Sequence, residues 1–472
     1  MKNAKPIETP GYFWLPELPD NKVPGTLSVS KYGEISLDTY EVFGNQESEI
    51  NKIFNSEHEG FSRIYGIVRD GGYVTLVNCN YQKVEMRFGP GKMVLGARTA
   101  FVGVNFELDE LSFQMYDFCV EGLSEWLGIS GIMTSVDTSG RIGTINVRKP
   151  DPVSFNLPDN ITLEFGFTST GMPLAAYQPI TDVHIIQTPY ISLNFSDPMP
   201  FEYFTSLATK MTNFLSLAID QNVQIQSVKT HVVRDDISGN KPYYATVDVY
   251  HTFYPISDRS AIVRRHEFLF DYPNTRNLGK LMAKWLDIFR SDAHGNALDS
   301  FFTSRSSNPT PLSTRFLSLC QCLEALHGKT FSDERIVPSQ DFDPIKTKML
   351  KLLPRDFPDS FKSKIGNLNL PSLRDRLESL VAPLEEWFGG EQNSRNFAKQ
   401  VADTRNRLTH LHDRNWQQAR NPQELRDLYD KLDALATLRV LMLLGLDKPD
   451  LTALMQNTSN RLNQVLAVND SD

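Results

Sequence analysis

Hydrophobic and polar residues follow two different periods along the chain. Up to about residue 274, apolar and polar residues alternate in short runs, as in GTLSVSKYGEISL and IYGIVRDGGYVTLVNC. Beyond that point, Leu-rich segments carry apolar residues at every third or fourth position. Alternation is typical of strands and the longer period of helices. The pattern therefore predicts a β-rich N-terminal region followed by an all-helical C-terminal region.

The N-terminal region, residues 1–274, contains many short strand patterns joined by turn signals. Hairpin turns are predicted at Tyr32-Gly33 and Asp70-Gly71-Gly72, because Gly and Asp favour tight hairpin turns. Many short strands at close spacing are typical of a sandwich or a barrel. The pattern leaves open whether residues 1–274 form one domain or two. Short helical spacing over Val120–Leu127 and longer spacing in FEYFTSLATKMTNFLSLAI predict two helices. Strands are predicted to resume in NVQIQSVKTHVV, YYATVDVYHTF and HEFLFDY.

The C-terminal region, residues 275–472, has helical spacing throughout. Its predicted helices are Arg276–Arg290, Pro311–His327, Ile345–Leu353, Leu373–Trp387, Ser394–Leu411, Pro422–Leu446 and Leu451–Val465. Pro383 should kink or split the fourth helix, since proline lacks the backbone donor that a helix interior needs. The predicted fold class is α+β, with a sandwich-like or barrel-like β region followed by an all-α domain.

Charge divides the chain at the same place. Residues 1–274 hold 21 Lys and Arg against 32 Asp and Glu, a net charge of −11. Residues 275–472 hold 27 against 25, a net charge of +2. Because phosphate is repelled by negative charge, the N-terminal region should bind RNA poorly on its own.

Several classes of protein are disfavoured by the sequence. No apolar run reaches the 18 or so residues that span a membrane, and the first residues carry no apolar signal segment, so we expect a cytoplasmic protein without a membrane partner. The four cysteines are too sparse for a disulfide framework, and we expect buried free thiols at Cys79, Cys119, Cys320 and Cys322. Familiar phosphate-binding and zinc motifs are missing, so no cofactor and no metal are expected.

One strongly polar segment follows a predicted amphipathic helix, at Arg405–Asn415. If the helix continues, Asn406 and His410 share one face, which Asp403 joins. Arg405 and His410 lie about 140° apart and would flank a crevice. Two copies related by a dimer axis could bring both pairs to one ligand.

Cleavage of RNA needs little beyond such groups. The ribose 2′-OH attacks the adjacent phosphate, and a histidine with a pKa near 6.5 can move protons at neutral pH. An arginine matches phosphate geometry and neutralises the charge that develops on its oxygens. DNA lacks the 2′-OH and could not react in this way.

The segment Arg405-Asn406-Arg407-Leu408-Thr409-His410 matches the R-[polar]-x-x-x-H motif of HEPN domains. These are helical proteins that often act as metal-independent ribonucleases. Arg407 and His412 have the same spacing, but Leu408 would then occupy the polar second position, so the first register is preferred. The looser spacing Arg405…His412 also fits.

The segments GTLSVSKYGEISL, IYGIVRDGGYVTLVNC and RFLSLCQCLEALHG resemble the ApeA family. Its members are bacterial anti-phage proteins with a β-rich N-terminal domain and an ApeA-type HEPN domain. The resemblance covers most of the chain, with the HEPN part at about Arg276–Val465. It implies a metal-independent endoribonuclease with Arg405 and His410 as catalytic residues. It also implies RNA as substrate, a homodimer with the active site at its interface, abortive infection, and a phage-derived trigger.

Other residues are expected to support this site. Glu324 lies on an otherwise apolar helix, where an unpaired carboxylate is costly, so it could hold Arg405 or orient His410. Asn406 fills the polar motif position, Asp403 could position His410, and Thr409 could contact phosphate. Two alternatives stay open: a non-catalytic HEPN binding or sensor module, and a β-rich binding protein whose helices only mediate dimerisation.

Overall fold

The structure is a computed structural model. It describes residues 7–30, 33–43, 60–69, 72–85, 91–103, 106, 111–137, 140, 143–171, 183–234, 243–252, 264–306, 310–354, 356–409 and 421–466. The chain divides into two compact units, residues 1–279 and residues 280–472. The first unit is β-rich and the second is helical, as the periodicity of the sequence predicts.

Fourteen strands are described in the first unit. They are β1 (Ile7–Trp14), β2 (Val23–Val29), β3 (Ile35–Thr39), β4 (Gly60–Val68), β5 (Gly72–Glu85), β6 (Lys92–Val102), β7 (Ser112–Val120), β8 (Ile132–Val136), β9 (Gly143–Val147), β10 (Val153–Leu157), β11 (Ile161–Thr170), β12 (Ile186–Pro200), β13 (Ile225–Arg234) and β14 (Tyr243–His251). The same unit contains the short helix α1 (Leu123–Leu127) and the longer helix α2 (Phe201–Ile219).

Six of these strands close into an antiparallel barrel. Each strand pairs with the next in the order β1–β2–β3–β6–β5–β4, and β4 pairs back with β1. Apolar side chains on one face of each strand fill the interior, among them Phe13, Leu27, Leu37, Ile64 and Leu76. Closing the sheet leaves no free edge in the barrel. Of the two predicted architectures, the barrel is the one formed.

Strand β6 continues from the barrel into a second antiparallel sheet. Its first half pairs with β3, whereas Thr99–Val102 pair with β14. The second sheet then runs β14–β13–β7–β12–β11–β10. Helix α2 packs on this sheet, where the rings of Phe204 and Tyr116 stack with their centres 4.3 Å apart. Its residues are those of the predicted segment, because a long apolar stripe is a strong helical signal.

Ten α-helices are described from the unit boundary onward. They are α3 (Leu278–Ile288), α4 (Asp292–Ser304), α5 (Leu312–Thr330), α6 (Ser339–Leu352), α7 (Asp359–Asn367), α8 (Leu373–Val381), α9 (Glu391–Thr409), α10 (Pro422–Leu444), α11 (Lys448–Met455) and α12 (Arg461–Leu466). After α8 the chain tightens into a 3-10 helix over Ala382–Phe388. This change at Pro383 is the predicted split. No helix in the described ranges is long and apolar enough to cross a membrane.

Helix α10 lies at the centre of the helical unit. Every residue from Leu432 to Val440 is buried, including Asp433 and Arg439. A helix that is covered on all sides must lie inside a core. Helix α5 packs beside it and buries Phe316, Leu319, Cys320, Cys322, Leu323 and Leu326.

A buried ion network ties α10 to two neighbouring helices. Asp433, which is 5% exposed, accepts hydrogen bonds from Arg305 Nε at 2.8 Å and Nη2 at 2.7 Å. Arg461 Nη1 lies 2.8 Å from its Oδ2. Burial alone would raise the pKa of Asp433, but the two guanidiniums outweigh burial and lower it. The carboxylate therefore stays charged in the core.

Three sequence predictions of local structure are wrong. The predicted strand HEFLFDY contains the 3-10 turn Arg265–Glu267, and Phe268 and Leu269 are buried without joining a sheet. Helices α4 and α7 were not predicted, since 13 and 9 residues give the helical period few repeats. The last predicted helix is divided into α11 and α12.

Removing the charge of Asp433 should destabilise the helical unit. We expect Asp433→Asn to lower the free energy of unfolding by about 3–5 kcal/mol, because two buried guanidiniums lose their counter-charge. Chemical denaturation followed by circular dichroism at the helical band measures this change. Glu391→Gln is the matched control. It removes a carboxylate paired with Arg395 on the surface, so its effect should stay under about 1 kcal/mol.

The same variant should show a distinct pH dependence. The folded pKa of Asp433 lies below the unfolded value of about 3.9, so its stabilisation is complete above that pH and is lost as pH falls through the folded pKa. The difference between wild type and Asp433→Asn should thus be constant near neutrality and shrink in acid. A difference that grows in acid would contradict the ion network.

Candidate functional site

Helix α9 carries the polar motif and is held by one buried face. Phe397, Ala398, Val401 and Ala402 are buried. Gly389 and Gly390 precede the helix with positive φ angles of 81° and 88°, a conformation that favours glycine. The buried face of α9 thus fixes the position of the helix, including its C-terminal turns and Arg405.

Arg405 of α9 lies next to Glu324 of the neighbouring helix α5. Arg405 Nη2 lies 3.9 Å from Glu324 Oε1, and the two side chains are 34% and 30% exposed. This distance is an ion pair and is too long for a hydrogen bond. Both groups are half-buried, so the guanidinium keeps donors that solvent can reach.

Among the described residues, the hydrogen bonds of the neighbouring motif residues stay within helix α9. Arg405 Nη1 donates to Asn406 Oδ1 at 3.3 Å, and Thr409 Oγ1 donates to the carbonyl of Arg405 at 2.9 Å. The carboxylate of Asp403 is exposed, and the carbonyl of that residue accepts from Arg407 Nε at 3.3 Å. The structure thus pairs Arg405 with Glu324, and Asn406 and Thr409 are hydrogen-bonded to Arg405.

His410, the second predicted catalytic residue, lies outside the described residues, as does His412 of the alternative registers. Arg405 is four positions from the last residue of α9, so His410 follows that helix directly in sequence. The predicted roles of Arg405 and His410 stay predictions.

A buried thiol lies close to the Arg405–Glu324 pair. Burial and, to a smaller extent, the charge of Glu324 raise the pKa of Cys320 to about 12, and the charge of Arg405 opposes them. Cys320 and Glu324 are one helical turn apart on α5, so they share the face that meets α9. All four cysteines are buried and none forms a disulfide, as predicted.

A second polar cluster near α5 was not predicted from sequence. His327 is 2% exposed, and its Nε2 lies 2.6 Å from Glu334 Oε2. Ser379 Oγ donates to the other oxygen of that carboxylate at 2.7 Å. Burial lowers the pKa of His327, although Glu334 opposes this effect. This geometry is that of a neutral core histidine whose ring nitrogen is hydrogen-bonded. The contact between Glu334 and Ser379 joins residues 45 positions apart, so no local sequence pattern predicts it.

A cavity of about 520 Å³ lies beside the first half of α9. Its lining combines aromatic rings with amides and one cation, including Trp387, Phe388, Asn393, Asn396, Gln400 and Lys431. Of the predicted site residues that the structure describes, which are Arg405, Asn406, Glu324, Asp403 and Thr409, none lines it. In the described ranges, no group of three His, Cys, Asp or Glu side chains could hold a metal ion.

Comparison with models of known protein families gives a match in each of the two units. The family model of ApeA N-terminal domain 1 matches residues 8–285, and that of the Apea-like HEPN domain matches residues 317–450. The β-rich unit thus corresponds to the ApeA N-terminal domain, and α9 with Arg405 lies within the HEPN domain. The chain belongs to the ApeA family. Its two domains are those of an anti-phage effector of the HEPN type. Searches of curated proteins and of solved structures found no match.

Buried thiols should be unreactive in the folded protein. Burial raises the pKa of Cys79 and of Cys320 to about 12, so almost no reactive thiolate exists at pH 8. We expect no alkylation by iodoacetamide in buffer and four alkylated cysteines in denaturant, counted by mass spectrometry. Rapid labelling of Cys320 in buffer would contradict the packing of α5 against α9.

Proposed function

We propose that this protein is a metal-independent endoribonuclease that cleaves RNA with Arg405 and His410. The observation that carries the proposal is the position of Arg405. Its guanidinium is about one-third exposed and lies near the end of α9, five residues before His410 in the HEPN motif, with the carboxylate of Glu324 as an ionic partner. Membership of the ApeA family supports the same function.

The proposed reaction is attack of the ribose 2′-OH on the adjacent phosphate. His410 accepts the proton of the 2′-OH or donates one to the departing 5′-oxygen, since an imidazole can do either near neutral pH. Arg405 donates hydrogen bonds to the phosphate oxygens as negative charge develops on them. The products are a 2′,3′-cyclic phosphate and a 5′-hydroxyl end.

We infer that the complete site is formed by two copies of the chain. On one helix Arg405 and His410 would lie about 140° apart, so a single copy does not point both at one phosphate. A two-fold axis near the end of α9 would present the arginine of each copy beside the histidine of the other. The net charge of +2 in residues 275–472, against −11 before them, favours RNA entry at the helical unit.

The supporting residues have separate proposed roles. Glu324 positions Arg405 until phosphate binds, because its carboxylate faces the guanidinium at 3.9 Å. Asn406 accepts from Arg405 and limits its rotation. The exposed hydroxyl of Thr409 turns from the carbonyl of Arg405 to donate to phosphate, whereas Asp403 orients His410.

We further propose that cleavage of cellular RNA after infection halts the infected cell. A phage-derived component would act as the trigger, with the acidic N-terminal unit as its receptor. The alternative is a HEPN module that binds RNA or a partner without cutting it.

Loss of either proposed catalytic side chain should abolish RNA cleavage. We expect Arg405→Ala and His410→Ala to lower the cleavage rate at least about a hundredfold, because each removes one means of stabilising the transition state. The assay is cleavage of total cellular RNA in EDTA. Arg395→Ala is the matched control, since this arginine lies on the same helix and pairs with Glu391 on the surface.

The outcomes separate the two functions. Discrete cuts by wild type and by Arg395→Ala, lost in both site variants, would support the nuclease. Equal cutting by His410→Ala would refute the assignment of that residue. RNA binding with no cutting, even by protein taken from infected cells, would favour the binding module.

Neutralising Glu324 should weaken catalysis without unfolding the protein. We expect Glu324→Gln to lower kcat about tenfold, because Arg405 loses the charge that positions it. The melting temperature should change by less than about 2 °C, since a half-exposed ion pair contributes little stability. Glu378→Gln, which breaks the exposed pair with Arg374, is the control. A loss of kcat in both variants would argue against a positioning role.

A further inference from the structure

Arg439 is a buried cation without a counter-ion among the described residues. It lies in the second half of α10 and is 7% exposed. Its guanidinium lies over the ring of Phe331, 5.9 Å from the ring centre, and Nη1 donates to Met442 Sδ at 3.6 Å. Neither contact brings a negative charge. A buried charge is costly unless it is paired, so this arginine carries an unbalanced charge in the helical unit.

Arg305 in the same unit shows how a buried guanidinium is balanced. Its side chain is 13% exposed, and Asp433 supplies the counter-charge at 2.7 Å. Burial lowers the pKa of Arg439, with no opposing effect from a described carboxylate. Because a guanidinium stays protonated in proteins, Arg439 cannot change to a neutral form. It therefore requires an anion that the described residues do not supply.

The guanidinium of Arg439 borders the surface. Phe331, the residue that follows α5, and Met442 are both half-buried. Among the described residues, the fully buried side-chain nitrogens without a hydrogen-bond partner do not include those of Arg439. Its remaining donors, Nε and Nη2, are therefore open to solvent. An anion can reach them between the end of α5 and the second half of α10.

A second guanidinium lies near the first. The charges of Arg439 and of Arg376 on α8 both lower the pKa of His327, so both arginines lie near that imidazole. Arg376 is half-buried, and its Nε donates to the carbonyl of Pro371 at 3.0 Å. Among the described residues it too has no carboxylate as an ion-pair partner. Two cations on two different helices thus flank His327.

One carboxylate lies in the same cluster, and both of its oxygens are already engaged. Glu334 Oε2 lies 2.6 Å from His327 Nε2, and Ser379 Oγ donates to Oε1 at 2.7 Å. With His327 neutral, two guanidiniums and one carboxylate give this cluster a net charge of +1. A phosphodiester carries one negative charge, so one such group would balance the cluster.

We propose that Arg439 and Arg376 form a phosphate-binding site in the helical unit, separate from Arg405. The ligand is a phosphate group, carried either by an RNA strand or by a free phosphate ester. The planar guanidinium matches the oxygens of phosphate with two parallel hydrogen bonds. Two guanidiniums on different helices suit a tetrahedral group, which presents oxygens in several directions, better than a planar carboxylate.

The site lies on the same face of α5 as the candidate catalytic arginine. Glu324, His327 and Phe331 are separated by three and four residues, so they share one face. Glu324 pairs with Arg405, and Phe331 lies under Arg439 about 10 Å farther along the helix axis. An RNA strand with its scissile phosphate at Arg405 can thus place a nearby phosphate at Arg439. This RNA form of the inference rests on the proposed function, whereas binding of a free phosphate ester does not.

The first test measures stability with inorganic phosphate as the probe. The full chain carries Arg405→Ala throughout, so that the proposed catalytic arginine adds no phosphate binding. Without phosphate, Arg439→Met should raise the melting temperature by at least about 2 °C, because an apolar side chain replaces an unpaired buried charge. Added phosphate should raise the melting temperature of the parent chain by mass action, and Arg439→Met should lose this rise.

Two further variants make the first test specific. Arg426→Met is the matched control, because Arg426 lies on the same helix and pairs with Asp430 on the surface. It should keep the rise in melting temperature with phosphate. Arg439→Lys guards against a methionine variant that does not fold. It keeps a cation but loses the planar fork, so its response to phosphate should fall well below that of the control.

The second test separates the two sources of phosphate. Its probe is a short single-stranded RNA with 2′-O-methyl riboses, which has no free 2′-OH to attack. Fluorescence anisotropy over a range of salt concentrations measures its affinity. If an RNA strand carries the phosphate, Arg439→Met should lower the affinity about tenfold. The slope of log affinity against log salt should fall by about 0.7, the value for one phosphate contact on a single strand.

The outcomes decide the proposal independently of RNA cleavage. Loss of the phosphate response together with RNA affinity supports the site and assigns its ligand to an RNA strand. Loss of the phosphate response at unchanged RNA affinity supports the site and assigns its ligand to a free phosphate ester. A phosphate response in Arg439→Met and Arg439→Lys equal to that of Arg426→Met overturns the proposal. A changed mass of these variants in sedimentation velocity, at unchanged phosphate response, also overturns it, since a carboxylate of a second copy would then be the partner of Arg439.

Discussion

The buried carboxylate of Asp433 is the constraint on which the helical unit depends. A charge in an apolar core is tolerated only when it is paired and hydrogen-bonded. Arg305 meets this need from the end of α4 with two hydrogen bonds to the carboxylate, and it donates a third to Thr437. Arg461 meets it from the start of α12. Two helices that are distant in sequence, α4 and α12, are thereby fixed to α10.

This network also determines where the candidate site lies. Cys322 of α5 is fully buried near Asp433 and Arg305, whose charges both act on its thiol. Glu324 follows two residues later, so it points away from the network toward the other side of α5. There it meets Arg405. The position of the site carboxylate is therefore a consequence of how α5 packs against α10.

The sequence predicts the parts of this molecule that have strong periodicity. Helix α2 was predicted residue for residue because its apolar stripe is long, and the barrel was one of two options because its strands alternate. The segment HEFLFDY was wrongly predicted as a strand because its apolar residues are buried beside the end of α2 and not in a sheet. There the N–H of Leu269 donates to the carbonyl of Ala218. The motif at Arg405 was visible in sequence. Its distance from Glu324, 81 positions earlier, is a property of tertiary packing that no local pattern contains.

The geometry of the Arg405–Glu324 pair fits a site that must accept an anion. At 3.9 Å and about one-third exposure, the pair is screened by water, and such pairs contribute between zero and about 1 kcal/mol. A phosphate that accepts two hydrogen bonds from the same guanidinium interacts more strongly. In the proposed mechanism, Glu324 therefore holds the side chain of Arg405 in place before substrate binds. When phosphate replaces Glu324 as the partner of Arg405, only a small free energy is lost. A shorter, buried pair like that of Asp433 and Arg305 would keep its arginine, which is why it and the Arg405–Glu324 pair suit opposite purposes.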